Sequence, residues 1–346
     1  MDGLADGPAH GSVNGSADGP TGGPADGPTR GPADGSAGGR GKVAFVLGGG
    51  GERGGNQVGM VRALLEAGIT PDLVVGTSIG SVQGAILAKN PSLSVVAELV
   101  ELWMEFISMK VMKPSLKAFA SNVRHVRPGL ASMDAAHRML LNHFAPHSRI
   151  EDLKVPFVCP ASSIERAAAH YFDHGLLIPA LLASCCVPGL FPPVEIGGEH
   201  YLDGGLIDSL PIGVAASLGA TTVYALRIRQ TGEPLASPRM PWQLAHVAFE
   251  VGRRAAVEAE IARHRSGVTV HVLPSGEDEL VKAGHGPVAS TRAELETVRR
   301  RIALGYDAAS AFLAGLQRAR RGAPDPHGPA GPRGLADPQG APDAVG

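Results

Sequence analysis

The chain has 346 residues, and its 31 Lys and Arg against 33 Asp and Glu give a net charge of −2. This balance provides no strong electrostatic attraction to nucleic acid, so we expect no nucleic-acid partner. Three cysteines (Cys159, Cys185 and Cys186) are too few for a disulfide framework and indicate reduced, intracellular thiols. With neither a signal segment nor an apolar stretch of membrane-spanning length, the sequence predicts a cytoplasmic protein.

The two ends of the chain differ from its body in composition. Residues 1–40 and 321–346 are rich in Gly, Pro and Ala and hold few bulky apolar side chains. Neither end can bury enough apolar surface to offset the cost of ordering its backbone, so both are predicted to be disordered tails. Residues 41–320 remain as one domain with a single sizeable core.

Strand and helix patterns alternate along the body. Short apolar runs predict buried strands, and apolar residues at helical spacing predict helices. In chain order we expect a strand at 43–47, helix 56–68, strand 73–75, helices 79–89, 93–109 and 132–144, strand 155–160, helix 177–184, strand 222–228, helix 242–264, strand 268–273 and helix 290–318. This order predicts an α/β fold with a mostly parallel central sheet flanked by helices.

A glycine cluster, residues 48–55, follows the first strand and opens the first helix. Such a loop receives negative charge through its exposed amides. It matches a dinucleotide fingerprint in glycine spacing, but the next strand ends in Gly-Thr-Ser rather than in the acidic residue that would hold a ribose. A tight structural turn, a nucleotide site and an oxyanion hole therefore all remain open at this point.

The second strand ends in Gly76-Thr77-Ser78-Ile79-Gly80, a Gly-x-Ser-x-Gly sequence between a strand and a helix. In this context a sharp turn lifts the serine above the carboxyl end of the sheet, which makes Ser78 a candidate nucleophile. A serine needs a base within hydrogen-bonding reach.

Two kinds of residue could supply that base. The chain has 13 histidines, so a triad is not dismissed by counting, although His125, His137, His143 and His147 lie on polar stretches typical of the surface. Asp203 is the better candidate, because a short apolar run delivers its carboxylate to the glycine turn Asp203-Gly204-Gly205. An ordinary Asp-Gly-Gly surface turn is the alternative, and Asp208 is interpreted as a turn or cap residue.

Taken together, these sites resemble the patatin-like phospholipase family. The loop Gly49-Gly50-Gly51-Glu52-Arg53-Gly54, the elbow at residues 76–80 and the Asp203 turn match its three motifs in order. Residues 183–193 also resemble the stretch that precedes the aspartate in that family, with Cys186 where relatives tend to have alanine. This departure raises the question of oxidation near the site.

The resemblance implies a three-layer α/β/α fold and a serine lipid acyl hydrolase of phospholipase A or lysophospholipase type. Ser78 would be the nucleophile and Asp203 the proton acceptor, with an acyl-enzyme intermediate and no histidine. The amides of Gly49, Gly50 and Gly51 would form the oxyanion hole. The residues that support the motifs would be Arg53, Gly54, Gly76, Gly80, Gly204 and Gly205. No cofactor is implied, and the spacing of the His and Cys residues predicts no metal site.

Two alternatives stay open beside this hypothesis: a soluble esterase or thioesterase for small acyl groups, and a nucleotide- or ligand-binding protein that uses the glycine loop without hydrolysis. A lipid substrate would also imply transient contact with a membrane surface. The apolar segment from Trp103 to Met112 is a candidate lid, with a core helix as the alternative. The sequence does not determine the oligomeric state.

Overall fold

A computed structural model of the chain describes residues 41–113, 124, 129–228, 234–238, 241–263, 265–276 and 290–322. The predicted tails therefore lie outside the described residues, apart from Arg321 and Gly322. The strands are β1 (Val43–Leu47), β2 (Leu73–Gly76), β3 (Phe157–Ser163), β4 (Ala168–Phe172), β5 (Val194–Ile196), β6 (Glu199–Asp203), β7 (Thr222–Leu226) and β8 (Thr269–Leu273).

Helices occupy most of the segments between the strands. They are α1 (Gly55–Glu66), α2 (Ile79–Lys89), α3 (Val95–Ser108), α4 (Asp134–His143), α5 (Leu177–Ser184), α6 (Ile212–Ser217), α7 (Pro241–Ala262) and α8 (Thr291–Gly322). Short 3-10 turns at Gly51–Arg53 and Gly204–Leu206 follow β1 and β6. Both turns border the site described below.

The strands form one eight-stranded sheet in the order β5-β6-β3-β2-β1-β7-β8, with β4 paired to β3. The pairs β1–β2, β1–β7, β2–β3 and β7–β8 are parallel. The carboxyl ends of β1, β2 and β7 therefore meet at one edge of the sheet. The pairs of β4 and β6 with β3, and of β5 with β6, are antiparallel.

The sheet is covered on both faces, which explains the continuous apolar runs of its central strands. Along β1, Val43, Phe45 and Leu47 pack into one core cluster, whereas Ala44 and Val46 pack into another. The first cluster includes side chains from α1 to α5 and α8, and the second includes side chains from α6 and α7. The predicted α/β fold with a mostly parallel sheet between helices is confirmed.

The antiparallel part of the sheet is absent from the sequence-based expectations. Strand β4 is mostly half-buried, and β5 has three residues with only partial burial. Neither strand has the apolar run or the clean alternation that marks a strand in a sequence.

Over the part of the chain that the structure describes, none of the helices combines the length and the apolar character needed to span a bilayer.

Candidate active site

Ser78 lies in a strained turn between β2 and α2. Its backbone has φ 54° and ψ −129°, a region that residues with a side chain rarely adopt. The flanking glycines are required by close packing: a Cβ on Gly76 would lie 2.3 Å from the oxygen of Gly80, and a Cβ on Gly80 would lie 2.3 Å from the oxygen of Leu47. The Gly-x-Ser-x-Gly spacing is thus a steric requirement of this elbow.

Hydrogen bonds from distant segments hold the elbow in place. The amide of Ser78 donates to Ser184 Oγ at 3.0 Å, and Thr77 Oγ1 donates to the main-chain oxygen of Asp208 at 2.9 Å. Ser81 Oγ, in the first turn of α2, donates to the main-chain oxygen of Ser78 at 2.6 Å. Ser184 belongs to the stretch that resembles the family pattern, but its contact with the elbow was not predicted.

Asp203, the last residue of β6, is brought to Ser78 across 125 positions of sequence. Ser78 Oγ donates to Asp203 Oδ2 at 2.7 Å, and the amide of Gly205 donates to Oδ1 at 2.8 Å. The carboxyl group is 1% exposed, and this burial raises its pKa to about 6, although hydrogen bonds from Ser78 and Gly205 act in the opposite direction. Gly204 lies so close to β3 that a Cβ there would be 2.2 Å from the oxygen of Pro160.

The glycine loop presents two amides to the site. Within the described part of the chain, the amides of Gly50 and Gly51 donate to no protein acceptor, and both residues line a groove with Ser78. The amide of Gly49 instead donates to the main-chain oxygen of Ser209 at 3.0 Å. The prediction that all three amides serve an oxyanion is therefore corrected at Gly49, because that amide ties the end of β1 to the segment before α6.

The other loop residues have structural contacts. A Cβ on Gly54 would lie 2.9 Å from the Trp103 ring, and the main-chain oxygen of Gly54 accepts a hydrogen bond from Gln83 Nε2 at 3.2 Å. Gly205 packs beside the Asp203 carboxylate and the ring of Phe249. Arg53 lines the groove, and its role stays a prediction.

Two spaces open beside Ser78. A groove of about 1090 Å³ is lined by the glycine loop, by Asp203 and by side chains of α7 and residues 234–238. A second, small cavity of about 30 Å³ that also borders Ser78 has almost wholly apolar walls. The cavity is lined by Val82, Phe106, Val111, Met112, Met133, Met139, Leu181 and Phe191 among others. The serine thus borders both an open, mixed groove and a closed, apolar cavity.

Helix α7 contributes a buried ion pair that the sequence did not reveal. Arg253 Nε and Nη2 donate to the two carboxylate oxygens of Glu250, each at 3.0 Å. Arg253 Nη1 also donates to the main-chain oxygen of Gly49 and to Ser209 Oγ, both at 3.4 Å. No local signal marks these two residues, since charged side chains are common on amphipathic helices.

Of the four histidines singled out in the sequence, His125 lies outside the described residues. Across the described ranges, no histidine is hydrogen-bonded to Ser78 or Asp203. His143 is buried, but it faces Glu98 and Glu105 on α3, while His246 is exposed at the groove. Of the two predicted candidates for a base, the aspartate is the one in contact with the serine.

The surroundings of Cys186 bear on the question of oxidation near the site. This thiol is fully buried, and burial raises its pKa to about 12. Its Sγ donates to the main-chain oxygen of Pro192 at 2.9 Å. A protonated, shielded thiol is inert, because the thiolate is the reactive form.

The candidate lid is largely a core helix. Trp103, Phe106 and Ile107 are buried, and Trp103 Nε1 donates to Gln83 Oε1 at 3.1 Å. Three residues of the segment, Phe106, Val111 and Met112, border the apolar cavity. Among the described residues, no cluster of three His, Cys, Asp or Glu side chains is arranged to hold a metal ion.

Comparisons of the sequence with known proteins point to one family. The model of the family described as "Patatin-like phospholipase" matches residues 45–216. "Lysophospholipase NTE1" of Phaeosphaeria nodorum is 34% identical over 191 residues, which cover 55% of this chain and 12% of that protein. "Patatin-like phospholipase domain-containing protein 6" of Mus musculus is 35% identical over 193 residues, covering 55% of this chain and 14% of that protein.

The chain thus spans 12% to 14% of the length of these relatives. Among solved structures, VipD from Legionella pneumophila matches with a TM-score of 0.39 at 14% identity, over 80% of this chain and 67% of that chain. This structural similarity is too low to support a comparison of the sites.

Proposed function

Because the chain belongs to the patatin-like phospholipase family over residues 45–216, we propose that it hydrolyses carboxylic esters of lipids. The observation that carries the proposal is the hydrogen bond of 2.7 Å from Ser78 Oγ to Asp203 Oδ2, in a strained turn beside two amides that have no acceptor among the described residues. Strain of this kind persists where the surrounding structure enforces it, and it is found preferentially at functional sites.

The proposed reaction begins with attack of Ser78 Oγ on the ester carbonyl carbon. The Oγ proton passes to the Asp203 carboxylate, a bond forms from Oγ to carbon, and the carbonyl π electrons move to oxygen. The amides of Gly50 and Gly51 would donate to this oxyanion. When the tetrahedral intermediate collapses, the alcohol leaves with the proton from Asp203, and an acyl-enzyme remains.

Water completes the cycle in the same way. The water oxygen attacks the acyl carbon while Asp203 takes a proton from that water. The proton then passes to Ser78 Oγ when the fatty acid is released. The raised pKa of Asp203, about 6, makes its carboxylate a stronger base toward the Ser78 proton, and the group is still ionised at neutral pH.

The two spaces beside Ser78 support an acyl ester of a lipid as the substrate class. The walls of the apolar cavity suit a hydrocarbon chain, but its volume of about 30 Å³ admits one only when side chains such as the flexible Met112, Met133 and Met139 move aside. The open groove is wide enough for the alcohol part of the ester. The names of the relatives, "Lysophospholipase" among them, support a lysophospholipid as the first substrate to assay.

The test is covalent labelling with a fluorophosphonate probe, followed by hydrolysis of lysophosphatidylcholine. We expect the wild type to label, Ser78→Ala to remain unlabelled, and Asp203→Asn to label far more slowly. Ser217→Ala is the control, since Ser217 lies at the end of α6, donates to the main-chain oxygen of Val214, and lines neither the groove nor the cavity. His246→Ala should label at the wild-type rate, because no histidine takes part.

A folded wild type that fails to label in the presence of vesicles would contradict the hydrolase proposal and favour a binding protein. The esterase alternative is tested by p-nitrophenyl esters of increasing chain length. We expect kcat/KM to rise from acetyl to longer acyl groups, and a maximum at acetyl would instead favour small acyl substrates.

A further inference from the structure

The buried ion pair of α7 lies outside the residues matched by the family model, and Arg253 donates to the main-chain oxygen of Gly49 in the glycine loop. We propose that Arg253, held by Glu250, is a positioning residue that fixes the orientation of the Gly49–Gly50 peptide. This orientation turns the Gly50 amide toward the groove as an oxyanion donor. The inference rests on the proposed function and adds a residue to it.

The geometry of a peptide bond carries the first step. The described chain has no cis peptide bonds, and in a planar trans peptide the C=O of one residue points opposite to the N–H of the next. Arg253 Nη1 donates to the Gly49 oxygen at 3.4 Å, which fixes that oxygen on the α7 side. The N–H of Gly50 is then directed away from the guanidinium of Arg253.

The orientation of a peptide between two glycines has to be fixed by hydrogen bonds from other segments. Without a Cβ, glycine populates several backbone conformations at little cost, so the loop sequence alone does not fix the orientation of this peptide. Two contacts fix Gly49 on both sides: its amide donates to the Ser209 oxygen at 3.0 Å, and its oxygen accepts from Arg253. Arg253 Nη1 also donates to Ser209 Oγ, so the same guanidinium contacts both Gly49 and the residue that accepts from the Gly49 amide.

The cost of burying the pair supports a role beyond stability. The side chains of Glu250 and Arg253 are 10% and 7% exposed. A buried ion pair contributes little net stability, because desolvation offsets much of the attraction between the charges. Two paired donors to Glu250 leave Nη1 aimed in a fixed direction, which suits the positioning of a carbonyl group.

A positioning role predicts an effect on the transition state and not on substrate binding. The oxyanion exists only during reaction, so a turned Gly50 amide would lower kcat and leave KM nearly unchanged. For Arg253→Met we expect kcat to fall about 10- to 100-fold, somewhat less than the loss of a whole oxyanion donor. Affinity for a trifluoromethyl ketone, whose hemiketal carries the same oxyanion, should fall by a similar factor.

Arg254→Met is the matched control. Arg254 is the neighbouring arginine on α7 and also approaches Glu250, with Nε 3.7 Å from Oε2. Its loss removes the same charge from the same helix turn but leaves the hydrogen bond from Arg253 to Gly49. We expect its kcat, KM and ketone affinity to stay within about twofold of the wild type. Rates are compared above pH 8, so that a changed pKa of Asp203 does not contribute.

The outcomes separate this inference from the proposed function. If the wild type hydrolyses the ester and Arg253→Met matches Arg254→Met in kcat and ketone affinity, the positioning role is wrong and the hydrolase proposal stands. If the wild type neither hydrolyses nor labels, the hydrolase proposal itself fails. Should Arg253→Met not fold, Arg253→Lys serves in its place: we expect intermediate losses of kcat and ketone affinity, and wild-type values for both would overturn the role.

Discussion

Two carboxyl groups, Asp203 and Asp208, lie on either side of the short turn Gly204–Leu206, and burial raises the pKa of each to about 6. Their partners differ. Asp203 accepts from Ser78 Oγ at 2.7 Å, whereas Asp208 Oδ2 accepts from the Tyr171 hydroxyl at 3.0 Å. Asp208 also contacts the elbow through its backbone, because its main-chain oxygen accepts a hydrogen bond from Thr77 Oγ1.

The comparison teaches that a raised pKa by itself does not identify the base. Desolvation acts on both carboxyl groups, but of the two only Asp203 is hydrogen-bonded to Ser78, the proposed nucleophile, in its strained turn. The sequence-based interpretation of Asp208 as a turn or cap residue agrees with its amide, which donates to the Gly204 oxygen at 2.9 Å. Substitutions at the two positions can break or sharpen this distinction.

The largest expected difference is in activity. Asp203→Asn should lower kcat/KM by about 10³-fold or more, because an amide cannot accept the Ser78 proton. Asp208→Asn should stay within about tenfold of the wild type, since Thr77 binds the main-chain oxygen and not the side chain. Steady-state hydrolysis of one ester by both folded variants checks this. Similar losses in the two variants would remove the distinction between the carboxyl groups.

The pH dependence of activity should follow Asp203 alone. The base must be ionised to accept a proton, and with a pKa of about 6 the rate should fall about tenfold per pH unit below that value. Asp208→Asn should keep this acid limb of the kcat/KM profile. If the acid limb disappears in Asp208→Asn, the titration belongs to Asp208 and its assignment to Asp203 is wrong.

The pH dependence of stability provides a third comparison. The pKa of Asp203 is raised from 3.8 to about 6 in the folded state, so the unfolded chain loses this proton first as the pH rises. Folding stability therefore falls between about pH 4 and pH 6, and the penalty is fully present above pH 6. Asp203→Asn avoids it and should gain up to about 3 kcal/mol relative to the wild type between pH 4 and pH 8.

Urea denaturation at the two pH values measures this gain. Asp208→Asn should gain a similar amount, because burial raises the pKa of Asp208 to about 6 as well. If the free energy of unfolding of Asp203→Asn differs from that of the wild type by the same amount at both pH values, the Asp203 carboxyl group is not desolvated in the folded state.

The smallest expected effect concerns strain on the Ser78 side of the site. Ser78→Gly should be about 1 kcal/mol more stable than Ser78→Ala, because glycine adopts φ 54° without steric cost. The same pair of substitutions at Ser81, inside α2, should have the opposite order, since glycine is about 1 kcal/mol less favourable than alanine in a helix. Thermal denaturation of the four variants checks both signs. If alanine is also preferred at position 78, the turn stores no strain.

The sequence by itself determined the parallel half of the sheet and the loops at its edge. Continuous apolar runs are typical of strands that are buried on both faces, as β1 and β2 are. The elbow was predictable for a similar reason, because the contacts that require Gly76 and Gly80 come from the elbow itself and from the end of β1, the strand paired with β2. Asp203 was proposed from its glycine turn, although the strand that carries it was not recognised as one.

Tertiary structure decided what depends on pairing between distant segments. Strands β4 to β6 form through antiparallel register with β3 and with one another, and short, half-buried strands carry no periodic signal of that register. The direction of the Gly49 amide depends on Ser209, and the place of Arg253 depends on how α7 packs against the glycine loop. A local pattern specifies which residues are buried, whereas hydrogen bonds across more than a hundred positions are fixed only when the segments pack together.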